Sequence, residues 1–180
     1  TAFLLAADRA DTTLMQLLLD LGAHPMVPND DGTTPLMAAA GLGTAAPEEE
    51  AGTEPEALIA TRFMLDLGAD VNAVNADGDT AMHGAAYGSF PTVVQLLADH
   101  GADIRYWNTR NKQDRTPLFI AEGHRPGLPR PSRPTIEAIT VLMDGAGVST
   151  EGRRPEIVDQ YSRQPEPPKA PETKPQPQGR

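Results

Sequence analysis

A seven-residue block returns four times in this chain of 180 residues. It reads Thr-Ala-Phe-Leu-Leu-Ala-Ala from Thr1, Thr-Pro-Leu-Met-Ala-Ala-Ala from Thr34, Thr-Ala-Met-His-Gly-Ala-Ala from Thr80, and Thr-Pro-Leu-Phe-Ile-Ala-Glu from Thr116. A second block closes each copy: Leu21-Gly22-Ala23-His24, Leu67-Gly68-Ala69-Asp70, His100-Gly101-Ala102-Asp103, and the weaker Asp144-Gly145-Ala146-Gly147. From the opening Thr to the closing Gly there are 21 positions in the first and third copies; the second carries 13 more and the fourth 8 more. The next Thr then comes after 12, 12 and 15 positions, so the underlying period is 33. A fixed period of this size means a stacked array in which no unit buries its apolar face alone.

The copy from Asn75 to Trp107 shows one unit best. Thr80 suits an N-cap, since its hydroxyl can accept from a free N–H of the first turn. Pro35 and Pro117 stand one position later in their copies, where a missing N–H costs nothing. A short helix through Met82, Ala85 and Ala86 is broken by Gly88 and Ser89. A second helix carries Val93, Val94, Leu96 and Leu97 on one face. Gly101 is the expected left-handed C-cap. The stretch from Asp70 to Gly78 is rich in Asn, Asp and Gly, as a tight hairpin turn requires. Helices of two to three turns are marginal alone, so stability is expected from stacking.

These blocks resemble the ankyrin repeat. The resemblance is carried by Thr34-Pro35-Leu36, Thr80 to His83, Thr116-Pro117-Leu118 and Gly68 to Ala73, and covers about residues 1–148. The family's Thr-Pro-Leu-His block is complete nowhere: His83 alone keeps the His, with Leu4, Met37 and Phe119 in its place. The long second-copy insertion and the Pro-rich tail are similar to bacterial members. The resemblance implies an all-α solenoid of about four repeats with short β-hairpin fingers. The copies fall at about 1–28, 29–74, 75–107 and 108–148, with a Pro-rich disordered tail at 149–180. That tail holds 7 prolines and one apolar island, Glu156 to Tyr161.

Charge is uneven. Residues 1–100 hold 2 basic and 15 acidic side chains; residues 101–180 hold 13 basic and 10 acidic. Acidic turns keep an alanine-rich array in solution, and they also attract a basic partner. They disfavour nucleic acid over the first 100 residues. The absence of Cys excludes disulfide and thiolate chemistry. No apolar run reaches the ~18 residues of a membrane span. The sequence contains no targeting segment that would fix a compartment. The chain starts inside a block, which reads as a fragment of an array. Phe3, Leu4 and Leu5 are therefore expected on an uncovered helix, in a monomer prone to self-association through its first repeat.

Two insertions separate helices within repeats. Gly43 to Glu54 is acidic and reads as a solvated excursion, with helix resuming near Pro55-Glu56. Gly123 to Pro134 is proline-rich and basic, and reads as a stiff surface loop. The third-to-fourth finger, Arg105 to Arg115, is three residues longer and holds the only Trp.

No catalytic, cofactor or metal constellation is present. The histidines His24, His83, His100 and His124 lie in four different copies, without the spacing of a zinc helix. Gly41-Leu42-Gly43 follows no strand and falls where a helix ends, unlike a dinucleotide loop. Glu48 to Glu50 is a solvated charge run. The expected function is non-catalytic protein–protein recognition, as a scaffold or binding module. The alternative is a regulatory or localising domain of a larger enzyme. The resemblance implies binding through finger tips and the open face of the first helices. Aligned to the repeat, these positions are Asp30, Asp31, Thr33 and Leu42, then Asp77, Asp79 and Tyr87. The longer finger adds Tyr106, Trp107 and Arg110, residue types enriched at binding hot spots. Packing of Trp107 on an arginine stem within the hairpin is the local alternative.

Overall fold

The computed structural model describes residues 1–44, 52–126 and 129–150. Four helix pairs succeed one another. The first helices are α1 (Ala2–Asp8), α3 (Pro35–Ala39), α5 (Ala81–Gly88) and α8 (Pro117–Ala121). The second helices are α2 (Thr12–Asp20), α4 (Glu54–Asp66), α6 (Pro91–Asp99) and α9 (Arg133–Gly145). Each first helix packs on the next first helix, and each second helix on the next second helix, giving two parallel layers. The sequence is written for this. Ala6, Ala7, Ala39, Ala40, Ala85 and Ala86 are buried between the layers and let the helices approach closely. Phe3, Met15, Leu36, Met64, Val93, Leu97, Ile120 and Ile139 fill the rest of one continuous core. Burying a side chain of this size contributes about 1.5–3 kcal/mol, which short helices could not gain alone.

The caps are built on the threonines. Thr1, Thr34 and Thr116 accept from the N–H groups of Leu4, Met37 and Phe119 at 3.1, 3.3 and 3.3 Å. In the third repeat His83 reaches back, its Nδ1 accepting the Thr80 N–H at 3.2 Å. Met37 places its Sδ at the same position, 3.5 Å from the Thr34 nitrogen. That thioether is a weak acceptor where the imidazole is a good one.

The structure shifts the register of the fourth repeat. Gly22, Gly68 and Gly101 end their helices at φ of 88°, 86° and 84°. In each case the next residue donates back to the helix, from Ala23 to Leu18, Ala69 to Met64 and Ala102 to Leu97. In the fourth repeat that bond runs from Val148 to Met143, and Gly147 holds a φ of 68°. The closing glycine is thus Gly147, while Gly145 is the last residue of α9. Aligning Gly145 with the earlier glycines rests on the Gly-Ala pair alone; the left-handed cap sits two positions later.

The fingers are tight turns, and no β-ladder is found among the described residues. Each turn is closed by an asparagine. Asn75 donates its N–H to Asp79 O, and its Oδ1 accepts from the N–H groups of Asp77 and Asp79 at 3.0 and 2.8 Å. Asn29 and Asn111 close the neighbouring turns to Thr33 and Arg115. So much local bonding by the Asn side chain satisfies the backbone without strands. Between turns there is one backbone bond each, from Ala76 to Asp31 and from Lys112 to Asp77, both 2.7 Å.

The third finger is therefore no longer than the others. Its three extra residues precede Asn111 and wind into a short helix, α7 (Ile104–Trp107). This buries Trp107 in the core, 3% exposed, which corrects its expected place on an open finger. The N-terminal expectation is corrected in part: Phe3 is buried and Leu4 half-buried, while Leu5 is 62% exposed. Helix resumes after the second-repeat insertion at Glu54, where Thr53 and Glu56 form a capping box. The insertion between residues 45 and 51, and the tail from 151 to 180, lie outside the described residues.

Candidate functional site

A groove of about 520 Å³ runs along the array from the first repeat to the fourth. One wall is made by the finger turns, through Asp31 and Thr33, Asp77 and Asp79, then Gln113 and Arg115. The opposite wall is made by the first helices and the segments at their C-terminal ends: Leu4, Leu5 and Asp8, then Leu42 to Thr44, then Tyr87, and last Pro126.

The turns that form the first wall are rigid because the repeats are pinned to one another. Asn75 Nδ2 donates to Thr33 Oγ1 at 3.0 Å, and Asn111 Nδ2 to Asp79 Oδ1 at 2.8 Å. A two-sided amide is the residue type that can close its own turn with its oxygen and reach the next with its nitrogen. Asn75, Asp79 and Asn111 are buried by this arrangement. Asp31 is exposed, and bonds from Thr33 hold its carboxyl below the usual carboxylate range. Asp77 meets Lys112 at 3.3 Å, an exposed pair of small energetic weight.

The helical wall is apolar at Leu4, Leu5 and Leu42 and polar at Tyr87. Burial pushes the Tyr87 hydroxyl above its ordinary pKa, and the neighbouring Arg115 partly opposes this. The far end is set by the fourth-repeat insertion. Arg125, only 8% exposed, donates from Nη1 to the Tyr87 carbonyl at the C-terminal end of α5. A cation at that end also complements the helix dipole. Its second nitrogen lies 3.4 Å from Arg130 O. Burial pushes the guanidinium pKa down without threatening its charge.

Six of the ten residues expected from the sequence line this groove: Asp31, Thr33, Leu42, Asp77, Asp79 and Tyr87. Asp79 does so as a buried group bonded to Asn111, not as a free finger-tip charge. Asp30 is exposed on the turn outside the groove. Tyr106 is 51% exposed on α7, away from it. Arg110 is held by Asp114, 2.9 Å away. Trp107 is inside the core. Sequence reading missed Asp8, Gln113, Arg115 and Pro126. Asp8 was available as the counterpart of Tyr87. Gln113 and Arg115 were hidden because the three extra residues were counted into the turn instead of before it. Nothing in the sequence announced that Arg125 would fold inward.

Among the described residues no three His, Cys, Asp or Glu side chains gather as a metal site would require, and no helix is long and apolar enough to cross a membrane. Residues 55–128 match the family model described as ankyrin repeats, three copies. The human protein named "Ankyrin repeat and KH domain-containing protein 1" is 38% identical over 119 residues, 65% of this chain. The chain spans about 4% of that relative's length.

Proposed function

The chain carries ankyrin repeats, and from that premise we propose that it is a non-catalytic binding module whose groove receives an extended, basic segment of a protein partner. The observation that carries this is the groove itself. It runs across all four repeats, is lined by six of the positions that the family resemblance implied, and has a wall of turns already locked by asparagines. A preformed wall lowers the ordering cost of binding. The carboxylates of Asp31, of Asp8 and of Asp77 (the last beside Lys112) line the groove together with Leu4, Leu5 and Leu42, a mixture that suits lysine or arginine side chains with apolar neighbours. Charge of this kind acts chiefly on encounter rate and specificity.

The test is affinity capture from cells of the source organism with wild-type bait and with Asp31→Lys plus Leu42→Glu. Both positions face the groove; Leu42 is half-buried against the core and Asp31 accepts from the Thr33 N–H, so a modest loss of stability is expected from the changes themselves. The expected result is loss of the captured proteins by a bait that still unfolds cooperatively above the capture temperature. Identical capture by both baits would place the interface elsewhere.

A further inference from the structure

The groove is electrically polar along its length. Its first half presents Asp8 and Asp31. Among the described residues its last third presents one cation, Arg115, whose side chain lies against the Tyr87 hydroxyl, with Gln113 nearby. Arg115 is half-buried and makes no ion pair among the described residues. Its three neighbouring cations are differently placed: Arg110 is joined to Asp114, Lys112 to Asp77, and Arg125 is turned inward to the Tyr87 carbonyl. The described lining reaches Pro126, on the loop that Arg125 anchors.

We propose that this end of the groove is a carboxylate-binding subsite, so that the partner segment carries basic side chains over Asp31 and a carboxylate at Arg115. The proposal rests on the groove reading above and adds a polarity to it. A guanidinium presents a planar fork of N–H donors that matches a carboxylate's two oxygens. The Tyr87 hydroxyl and Gln113 amide supply neutral donors next to it. A tyrosine hydroxyl is protonated at neutral pH, so Tyr87 can donate.

Spacing is set by the stack. Packed helices lie about 8–10 Å apart, so two repeat steps separate Asp31 from Arg115 by roughly 16–20 Å. An extended chain at about 3.3 Å per residue spans this in five to six residues. The carboxylate can be the chain terminus or a glutamate side chain, and the experiment separates them.

Fluorescence anisotropy would be measured with a labelled octapeptide that starts with two lysines and continues with alanine and leucine. It is made in three forms: with a free C-terminal carboxylate, with an amide, and with an amide preceded by glutamate. The expected result is that one or both carboxylate forms bind about tenfold more tightly than the plain amide. That difference disappears in Arg115→Ala and is largely kept in Arg115→Lys, with all melting temperatures equal. A preference for the free acid alone assigns a chain terminus; a preference for glutamate alone assigns a side chain. Equal binding of all three forms overturns the subsite and leaves the groove reading in place. Binding by none of them overturns both. Moving the lysines two residues closer to the carboxylate is expected to remove the advantage, and an unchanged advantage would refute the proposed polarity.

Discussion

The first and third repeats share the threonine and the alanines of the opening block and place their helices at equivalent positions, yet equivalent side chains sit in different surroundings. Leu5 occupies the position of Gly84, Leu14 that of Val93, and Leu17 that of Leu96. In the third repeat all three are buried, Val93 at 0% and Leu96 at 5% exposure, and Gly84 lies against Met37 and Leu42 of the second. In the first repeat the exposures are 62%, 39% and 52%. The position of Leu5 is also filled by Ala38 and Ile120, 3% and 0% exposed. Burial in this fold is thus a property of having a neighbour on the correct side. The pattern of apolar residues within a repeat is necessary for stacking and does not by itself show that stacking occurs.

Exchanging residues between the two repeats is the harshest way to break the comparison. Gly84 touches the second repeat so closely that an added Cβ would stand 2.8 Å from Leu42 N and 2.9 Å from Met37 O, both backbone atoms. Gly84→Leu, which gives the third repeat the residue of the first, is expected to cost about 3 kcal/mol or more through overpacking. The reciprocal Leu5→Gly loses only helix propensity and partial packing, about 1–2 kcal/mol. Urea unfolding of both variants checks this. A Gly84→Leu protein as stable as the parent would show that the contact is not the one described.

Legibility in the sequence divides along the same line. Threonine caps, prolines at the first turn, the alanine faces and three of the four closing glycines are local signals with one physical meaning each, and all were legible. The fourth glycine was misplaced because Gly145 and Gly147 both lie near the helix end, and only the backbone angle tells which is the cap. Trp107 was misread because an aromatic beside arginines suits an exposed hot spot as well as a short buried helix; α7 is four residues long, too short for a periodic signal. Six groove residues were legible because a repeat turns sequence spacing directly into position. Arg115 and Arg125 were not, since the first required the true register of the turn and the second a loop that returns to touch the preceding repeat.

A gentler comparison keeps the chemistry fixed and varies only the neighbour. Leu96→Ala and Leu17→Ala remove the same atoms from equivalent positions of α6 and α2. The buried site is expected to lose about 2–4 kcal/mol, from lost burial and the cavity left behind. The exposed site is expected to lose about 1 kcal/mol or less, in proportion to the half of its area still covered. Equal losses in denaturant unfolding would mean that α2 is covered in solution as α6 is, for instance by self-association. Sedimentation at the unfolding concentration would reveal that directly.

The smallest effect separates the two repeats by pH. His83 is fully buried in the third repeat, while its counterpart Leu4 has nothing to titrate. Its Nδ1 accepts the Thr80 N–H, which leaves the proton on Nε2. That nitrogen faces the backbone of Thr109 and Arg115 without reaching hydrogen-bond geometry. Burial pushes the imidazole pKa down from its ordinary 6.5, and the charge of Asp79 opposes this less strongly. A base with a depressed folded pKa binds its proton more readily in the unfolded chain. Stability from this group is therefore complete above pH 6.5 and falls as the pH drops below it, until the folded pKa is reached. One proton sets the limit at about 1.4 kcal/mol per pH unit. Lowering the pH from about 7.5 to about 5.5 is expected to cost up to about that amount. His83→Leu, which installs the first repeat's residue, should flatten this window while lowering stability at neutral pH through loss of the Thr80 bond. Measured against the parent across the two pH values, an unchanged pH slope in His83→Leu would assign the titration to another group and remove the distinction drawn here between the two repeats.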